Sequence, residues 1–392
     1  MDMKEIAQAL GLEAYPECFE ALCCQVAEDP APACDLALIA QAQEKYGAFG
    51  EHYALVCEGA EEINKDAVYS TWVKIVKTYL EKEMGPVAEI PVVSLDGTPK
   101  RDMLMLACQI PLIPAAAEKY GKGGFDEAQI SSYLKAFAHC LRSTQTRTGI
   151  LGLNPTYFRW LSHFTKAEIF RVHGVQFEFT THKKEVAFLK NIHTGEVVPV
   201  LTGRMIHRSG KMMLGAGGYT DAEGAYEAVF YEDEEKYVGY GVYDIVASRE
   251  LCEYPKTEWK CILRPGDRCL SIHLPRGSDI TREAIDRAVN AAYEVIRNGY
   301  PEYADAPIHG ASWLLDPGLA AFLKPDSNIL QFAQRFVRYP TKSPGHAADG
   351  FVFPGNYASF EEFPEDTSLQ RAIKEHYRNG GYTYGISGLL LR

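Results

Sequence analysis

Residues 269–278 of this 392-residue chain read Cys-Leu-Ser-Ile-His-Leu-Pro-Arg-Gly-Ser, a strand-like run that ends in a turn. The apolar Leu270, Ile272 and Leu274 alternate with the other residues of the run, which is typical of a strand with one buried face. Thr281, shortly after the turn, is a typical N-cap, so a helix is expected to begin there. This stretch therefore predicts a strand, a tight turn and a helix in direct succession.

The residues that follow predict a second strand parallel to the first. It is expected over residues 308–315 and ends at Asp316-Pro317, an N-cap followed by proline at the first helical position. Two strands joined through a helix in one sheet run parallel, with a right-handed crossover. We therefore assign Asp316 to helix capping rather than to catalysis.

Hydrophobic spacing divides the chain into two parts. Helical spacing dominates the first part, as at Val68, Trp72 and Tyr79, and Asp126 with Gln129 forms a capping-box pattern. From about residue 170 the period becomes two, and turn signals separate strand-like runs. We predict an α+β chain with a helical N-terminal domain over 1–150. A mixed β-sheet domain flanked by helices is expected over 151–392, and a hairpin loop over the glycine-rich residues 215–218.

Composition excludes several classes of partner. The 40 basic and 52 acidic residues give a net charge of −12, which disfavours broad binding to nucleic acid or anionic lipid. No apolar run reaches the length of about 18 residues that a membrane span needs, and the first residues lack the pattern of a signal peptide. The ten cysteines contain no CxxC pair and the histidines no pair at metal spacing, so we expect reduced structural thiols and no metal. A cytoplasmic protein with small-molecule partners is expected.

Several blocks of sequence resemble a known family. In order along the chain they resemble the GNAT-like C-terminal domain, and the helical part is similar to the N-acyltransferase N-terminal domain that precedes it in bacterial acyltransferase domain-containing proteins. Together the blocks are specific, and the resemblance extends over nearly the whole chain. The blocks are residues 171–177, 272–278, 312–317, 325–329, 332–336 and 366–372.

The resemblance implies a GNAT fold, in which two central strands part to admit an acyl-CoA. The pyrophosphate of the acyl-CoA lies on the loop after the fourth strand, which corresponds here to Leu274, Arg276, Gly277 and Ser278. The residues themselves agree, because a glycine permits close approach, a helix N-terminus favours an anion and an arginine adds positive charge. The loop departs from the usual Arg/Gln-x-x-Gly-x-Gly/Ala pattern, and Asp279 adds a negative charge. The implied co-substrate is acetyl-CoA or another acyl-CoA.

Two residues are candidates for the catalytic base. Acyl transfer to an amine requires a base for the ammonium, a donor for the oxyanion and an acid for the departing thiolate. His273 ends the strand beside the loop, and histidine is a common general base, although His273 can equally be a hydrogen-bonding group at a strand end. Glu178, on an earlier strand, is the second candidate, and a solvated strand face is the simpler interpretation of it.

Other residues are candidates for binding the acceptor. Ser312 and Trp313 lie on the strand expected beside the parting, although a buried core tryptophan is common. Asn328 and Arg335 can reach the cleft from a helix whose main role is packing. Two function classes stay open: an acyl-CoA-dependent N-acyltransferase acting on an amine in a small molecule or protein, or a non-catalytic GNAT-like ligand-binding or protein-interaction module. A glycosidase is a distant third, because no pair of acids can be placed together.

Overall fold

The computed structural model describes residues 1–213, 219–343 and 345–391, so the predicted glycine-rich loop at 215–218 lies outside the described residues. The chain forms two compact units, Met1–Phe170 and Arg171–Arg392. No helix in the described ranges has both the length and the apolar character needed to cross a membrane.

The first unit is helical. Its helix α5 shows the physical basis: Asp66 caps the N-terminus by accepting from the Val68 amide at 3.0 Å, and the apolar face buries Trp72 and Tyr79. The ring of Phe19 meets these two rings edge-on at 5.6 and 5.4 Å. The helices are α1 (Met3–Leu10), α2 (Cys18–Ala27), α3 (Leu36–Tyr46), α4 (Tyr53–Lys65), α5 (Ala67–Glu81), α6 (Pro99–Asp102), α7 (Leu104–Ala107), α8 (Ile113–Lys122), α9 (Glu127–Leu134), α10 (Ala136–Thr148) and α11 (Pro155–Thr165).

The division between the two compact units falls after Phe170. Helix α11 packs on α8, α9 and α10, which keeps it with the helical unit. The Gln109 side chain donates to the Phe158 carbonyl at 2.7 Å, and the Tyr120 hydroxyl donates to the Ile169 carbonyl at 2.7 Å. The change in hydrophobic period does not reveal these contacts between distant segments.

The second unit combines strands with a few helices. Strand β1 lies across the division between the units. The strands are β1 (Ile169–Val172), β2 (Val175–Thr181), β3 (Val186–Asn191), β4 (Val197–Leu201), β5 (Met205–Ile206), β6 (Tyr226–Glu227), β7 (Phe230–Glu232), β8 (Lys236–Tyr243), β9 (Val246–Ala247), β10 (Cys252–Pro255), β11 (Trp259–Leu263), β12 (Arg268–His273), β13 (Ile308–Ser312), β14 (Phe336–Tyr339) and β15 (Ile386–Leu390). The helices are α12 (Arg282–Gly299), α13 (Asn328–Ala333), α14 (Asp349–Val352) and α15 (Ser368–Arg378).

Two large sheets form this unit. One has the order β1-β2-β12-β13-β15-β14, and the other has the order β10-β8-β4-β3-β11 with β7 and β9 paired to β8. The second sheet is built from residues between β2 and β12 in sequence. A buried hydrophobic cluster contains residues of both sheets, among them Phe188 of β3, Cys269 of β12 and Tyr339 of β14. The α+β fold class predicted from the sequence is confirmed.

The central strands of the first sheet part at their carboxyl ends. Strands β12 and β13 are parallel, as predicted, and their register ends with Ile272 opposite Gly310. Strand β13 remains paired with β15 as far as Ser312 opposite Ile386. Beyond Ile272 the two strands are no longer paired, and we call this point the gap between β12 and β13; His273 lies on its β12 side.

Candidate active site

The two predicted bases lie in direct contact at the end of β12. Strands β2 and β12 are antiparallel, with Ser271 opposite Glu178 and His273 opposite Gln176, so these side chains share one face of the sheet. The distance from His273 Nε2 to Glu178 Oε2 is 2.9 Å. The Glu178 side chain is 12% exposed and that of His273 is 30% exposed, so the pair is shielded but accessible.

This contact changes the interpretation of both residues. The sequence offered them as alternatives, whereas the structure makes them one unit of imidazole and carboxylate. A carboxylate on one ring nitrogen fixes the orientation of the ring and favours the imidazolium that forms when the ring accepts a proton. The pair can therefore accept and hold a proton beside the gap between the central strands.

The loop between β12 and α12 is held by its own hydrogen bonds. The Ser278 hydroxyl contacts the Pro275 carbonyl at 2.7 Å and the Gly174 carbonyl at 3.0 Å, which ties the loop to the β1–β2 turn. Gly277 has φ +83°, and no atom lies within 4 Å of where a Cβ would stand, so its backbone faces open space. The predicted N-cap Thr281 is confirmed by its contact with the Ala284 amide at 3.4 Å.

Charges of both signs lie around this loop. Arg276 is exposed, and no described carboxylate lies within ion-pair distance of its guanidinium. The Asp279 carboxylate accepts from the Thr281 amide at 2.9 Å, and this bond lowers the pKa of Asp279. The Asp279 carboxylate is therefore the hydrogen-bond acceptor for an amide at the start of α12. Leu274 is half-buried at the beginning of the loop.

Among the predicted acceptor-binding residues, Ser312 and Trp313 are adjacent, and α13, which carries Asn328, packs on the turn at Trp313. Arg335 reaches α12, where its Nη2 lies 2.5 Å from Asp286 Oδ1, and its buried Nη1 has no hydrogen-bond partner among the described residues. Asn328 is exposed at the start of α13. Ser312 accepts from the Leu314 amide at 3.1 Å. Trp313 is 8% exposed and belongs to a hydrophobic cluster.

Asp316 caps a short 3₁₀ helix (Pro317–Ala321), which confirms its assignment. Its Oδ1 accepts from the Gly318 amide at 2.9 Å. Its Oδ2 accepts from the Tyr384 amide at 2.8 Å, a contact across 68 residues that the sequence does not indicate. The side chain is buried, and this burial raises the pKa of Asp316.

Sequence reasoning missed a second pair of histidine and carboxylate, His346 and Asp349, which lies 3.5 Å apart. The spacing of three residues is a weak local signal, and nothing else in the sequence marks the pair. The described residues contain no group of three or more His, Cys, Asp or Glu side chains able to hold a metal ion.

Solved structures of similar fold are acyltransferases. One is an acyltransferase in complex with decanoyl-CoA, with a TM-score of 0.68 and 16% identity. Another is an acyltransferase in complex with decanoyl-CoA and teicoplanin, with a TM-score of 0.65 and 17% identity. Each match covers 100% of this chain and 99% of the other. At this identity the likeness shows the fold.

Sequence comparison gives the family. No curated protein matches the chain. The profile of the family described as the GNAT-like C-terminal domain matches residues 169–390, which is more than half of the chain. The chain therefore belongs to the GNAT-like C-terminal domain family.

Proposed function

We propose that the protein is an acyl-CoA-dependent N-acyltransferase. The observation that supports this most directly is the 2.9 Å contact between His273 and Glu178 at the mouth of the gap between β12 and β13. The solved acyltransferases of the same fold were crystallised with decanoyl-CoA or octanoyl-CoA, and they align along the whole chain. Their acyl-CoA ligands support an acyl-CoA as the donor here.

In this proposal the thioester enters the gap, and its phosphates lie on the loop after β12. Gly277 leaves room for close approach and Arg276 supplies positive charge that no described carboxylate neutralises. Ser278 holds the loop in place through its hydroxyl, because that hydroxyl already contacts two carbonyls. The predicted phosphate-binding role is thus assigned mainly to Arg276 and to backbone amides.

The chemistry assigned to the pair is proton removal. His273 accepts a proton from the ammonium group of the acceptor, and Glu178 stabilises the imidazolium that results. The amine nitrogen then attacks the thioester carbonyl and the C–N bond forms. The nitrogen loses its second proton to solvent, the C–S bond breaks and CoA leaves as a thiolate. The acceptor is proposed to be a small amine-bearing molecule.

A non-catalytic ligand-binding module is the second candidate. The observation that favours it is Asp279, whose carboxylate takes the Thr281 amide at 2.9 Å and so places negative charge near the proposed phosphate site. Such a module would bind a ligand without releasing thiol from decanoyl-CoA.

The test combines calorimetry with a thiol-release assay. We expect decanoyl-CoA to bind, and we expect CoA to be released in the presence of hexylamine. His273→Gln is expected to slow transfer to hexylamine by roughly 10²–10⁴-fold, the usual contribution of a general base. Hydroxylamine is largely unprotonated at neutral pH and needs no base, so its reaction should suffer far less.

The matched control is His193→Gln, which removes an exposed histidine in the turn between β3 and β4. It should leave both reactions unchanged. Equal losses with hexylamine and hydroxylamine in the His273 variant would contradict the base assignment. Binding of decanoyl-CoA with no thiol release from the wild type would favour the non-catalytic module.

We also propose two further features of the protein. All ten cysteines are free thiols, which supports a cytoplasmic location because reduced thiols are typical of that compartment. We also propose that the helical and the GNAT-like parts are separate domains with a boundary between residue 150 and Phe170. Truncation of the chain at this boundary would test the second proposal, with decanoyl-CoA binding measured for each part.

A further inference from the structure

A second imidazole–carboxylate pair lies in the loop after β14. His346 adopts φ +55°, a left-handed backbone conformation uncommon for residues other than glycine. In this conformation its Nδ1 lies 3.5 Å from Asp349 Oδ2. The His346 side chain is 38% exposed. A ring held through one nitrogen and accessible from outside is the arrangement found in proton-transfer groups.

The carboxylate of this pair is itself fixed from the interior. The Tyr377 hydroxyl contacts Asp349 Oδ1 at 2.7 Å and Thr383 Oγ1 at 2.6 Å. Thr383 is fully buried, and its hydroxyl oxygen accepts from the Ala348 amide at 3.2 Å. The imidazole thus lies against a carboxylate that is held by a hydrogen-bonded chain anchored in the core, which is more than an exposed surface ion pair requires.

Aromatic rings surround the imidazole. The His346 ring lies 4.4 Å from the Tyr377 ring and 5.7 Å from the Tyr382 ring. It also stacks at 23° on the Phe360 ring, with centroids 6.5 Å apart. The imidazole therefore lies among aromatic rings and also contacts the Asp349 carboxylate.

The pair lies beyond the carboxyl end of β13, the strand that borders the gap opposite β12. Strand β13 ends at Ser312 opposite Ile386, three residues after Thr383. Trp313, which follows β13 directly, belongs to the same hydrophobic cluster as Ala348 and Tyr377. One pair therefore lies at the end of β12 and the other beyond the end of β13, the two strands that border the gap.

We propose that His346 is the general acid that protonates the departing CoA thiolate, positioned by Asp349. This proposal rests on the proposed acyltransferase function. His273 takes one proton from the acceptor ammonium as the C–N bond forms. As the C–S bond breaks, the electron pair goes to sulfur and the imidazolium of His346 donates its proton to that sulfur. The nitrogen loses two protons, one to His273 and one to solvent, and sulfur gains one from His346. Each turnover therefore releases one net proton once the two histidines reset through solvent.

The pH dependence of kcat follows from the two roles, and several groups lie around His346. Those that face it are Asp349, Tyr377 and Tyr382, together with the Phe360 ring. The acid role requires the imidazolium form of His346, and the Asp349 carboxylate lies beside that charge. We expect kcat to rise with pH as His273 loses its proton and to fall at higher pH as His346 loses its proton.

The experiment measures kcat against pH with saturating decanoyl-CoA and hexylamine. His346→Gln should slow turnover by roughly 10²–10⁴-fold. It should also abolish the fall of kcat at high pH and leave the rise of kcat at lower pH in place. Asp349→Asn should move the fall to lower pH, because the imidazolium loses its anion. His376→Gln is the matched control, since His376 lies on α15 beside Tyr377 and bonds the Tyr382 carbonyl instead of a carboxylate.

A second donor separates an acid role from a structural one. The anion of para-nitrothiophenol is stable at neutral pH, so its decanoyl thioester needs no acid. With this donor, His346→Gln should therefore approach the rate of the wild type, whereas His273→Gln should remain slow. A misfolded variant would lose both donors alike, and circular dichroism would show it.

The outcomes separate the two proposals. If the wild type transfers the acyl group and His346→Gln retains the full rate and the fall at high pH, the acid assignment is wrong and the proposed function stands. Equal losses by His346→Gln with both donors would also overturn the acid assignment. If the wild type binds decanoyl-CoA and never releases thiol, the proposed function fails, and the role of His346 fails with it.

Discussion

Replacing Asp316 by alanine tests how the end of β13 is held. Its two carboxylate oxygens accept from the Gly318 amide at 2.9 Å and from the Tyr384 amide at 2.8 Å, and the residue is only 3% exposed. Alanine leaves both amides without this acceptor, at about 1–3 kcal/mol for each unsatisfied buried donor. Part of this cost is offset because the variant no longer buries a carboxylate. We expect the free energy of unfolding to fall by about 3 kcal/mol.

The magnitude translates into a melting temperature. A loss of about 1 kcal/mol shifts Tm by roughly 2–4 °C for a unit of this size, so Asp316→Ala should melt about 6–12 °C lower by circular dichroism. Asp316→Asn keeps one acceptor oxygen and should fall between the wild type and the alanine variant. Asp326→Ala, an exposed aspartate nearby, is the matched control and should melt like the wild type.

The pH dependence gives an independent check. Because burial raises the pKa of Asp316 in the folded chain, the ionised carboxylate opposes folding relative to the protonated one. Its contribution to stability therefore improves as pH falls through the folded pKa toward the unfolded value of about 3.9. The advantage of the wild type over Asp316→Asn should grow over that interval.

Two results would refute this reasoning. A wild-type melting temperature for Asp316→Ala would show that the two amides are satisfied without the carboxylate. Normal stability with complete loss of decanoyl-CoA binding would instead move Asp316 into the ligand site. We expect the affinity for decanoyl-CoA to change little at temperatures well below Tm.

Three further changes have defined outcomes. Arg276→Ala should weaken decanoyl-CoA binding about tenfold, which corresponds to about 1.4 kcal/mol, and the difference should shrink at high salt; an unchanged Kd by calorimetry would remove Arg276 from the phosphate site. Ser278→Ala, which frees the loop from Gly174, should raise Kd roughly fivefold, about 1 kcal/mol for one lost hydrogen bond, and a salt-independent change would distinguish it from the loss of a charge. Burial lowers the pKa of His309 to about 3, so stability is complete above the unfolded value of about 6.5 and is lost as pH falls toward 3. His309→Gln should reduce this loss of unfolding free energy at acid pH. An unaltered loss would assign the acid sensitivity to other groups.

Local chemistry explains what the sequence indicated correctly. The N-caps at Thr281 and Asp316 and the capping box of Asp126 with Gln129 all depend on contacts within three residues. The parallel pairing of β12 and β13 follows from strand, helix and strand in succession, because the handed crossover leaves one arrangement. The six stretches that resemble the GNAT-like C-terminal domain then predicted the sheet and the loop after β12.

Only the tertiary structure decided the composition of the candidate site. Glu178 and His273 are 95 residues apart, and the residues of a second sheet separate them in sequence. Their contact requires the register that sets Ser271 opposite Glu178, and a shift by one residue would turn each side chain to the other face. The bond from Tyr384 to Asp316 likewise spans segments that meet only when β13 and β15 pair. Sequence patterns determine contacts within a turn or a helix, whereas the register between distant strands is set by packing of the whole sheet.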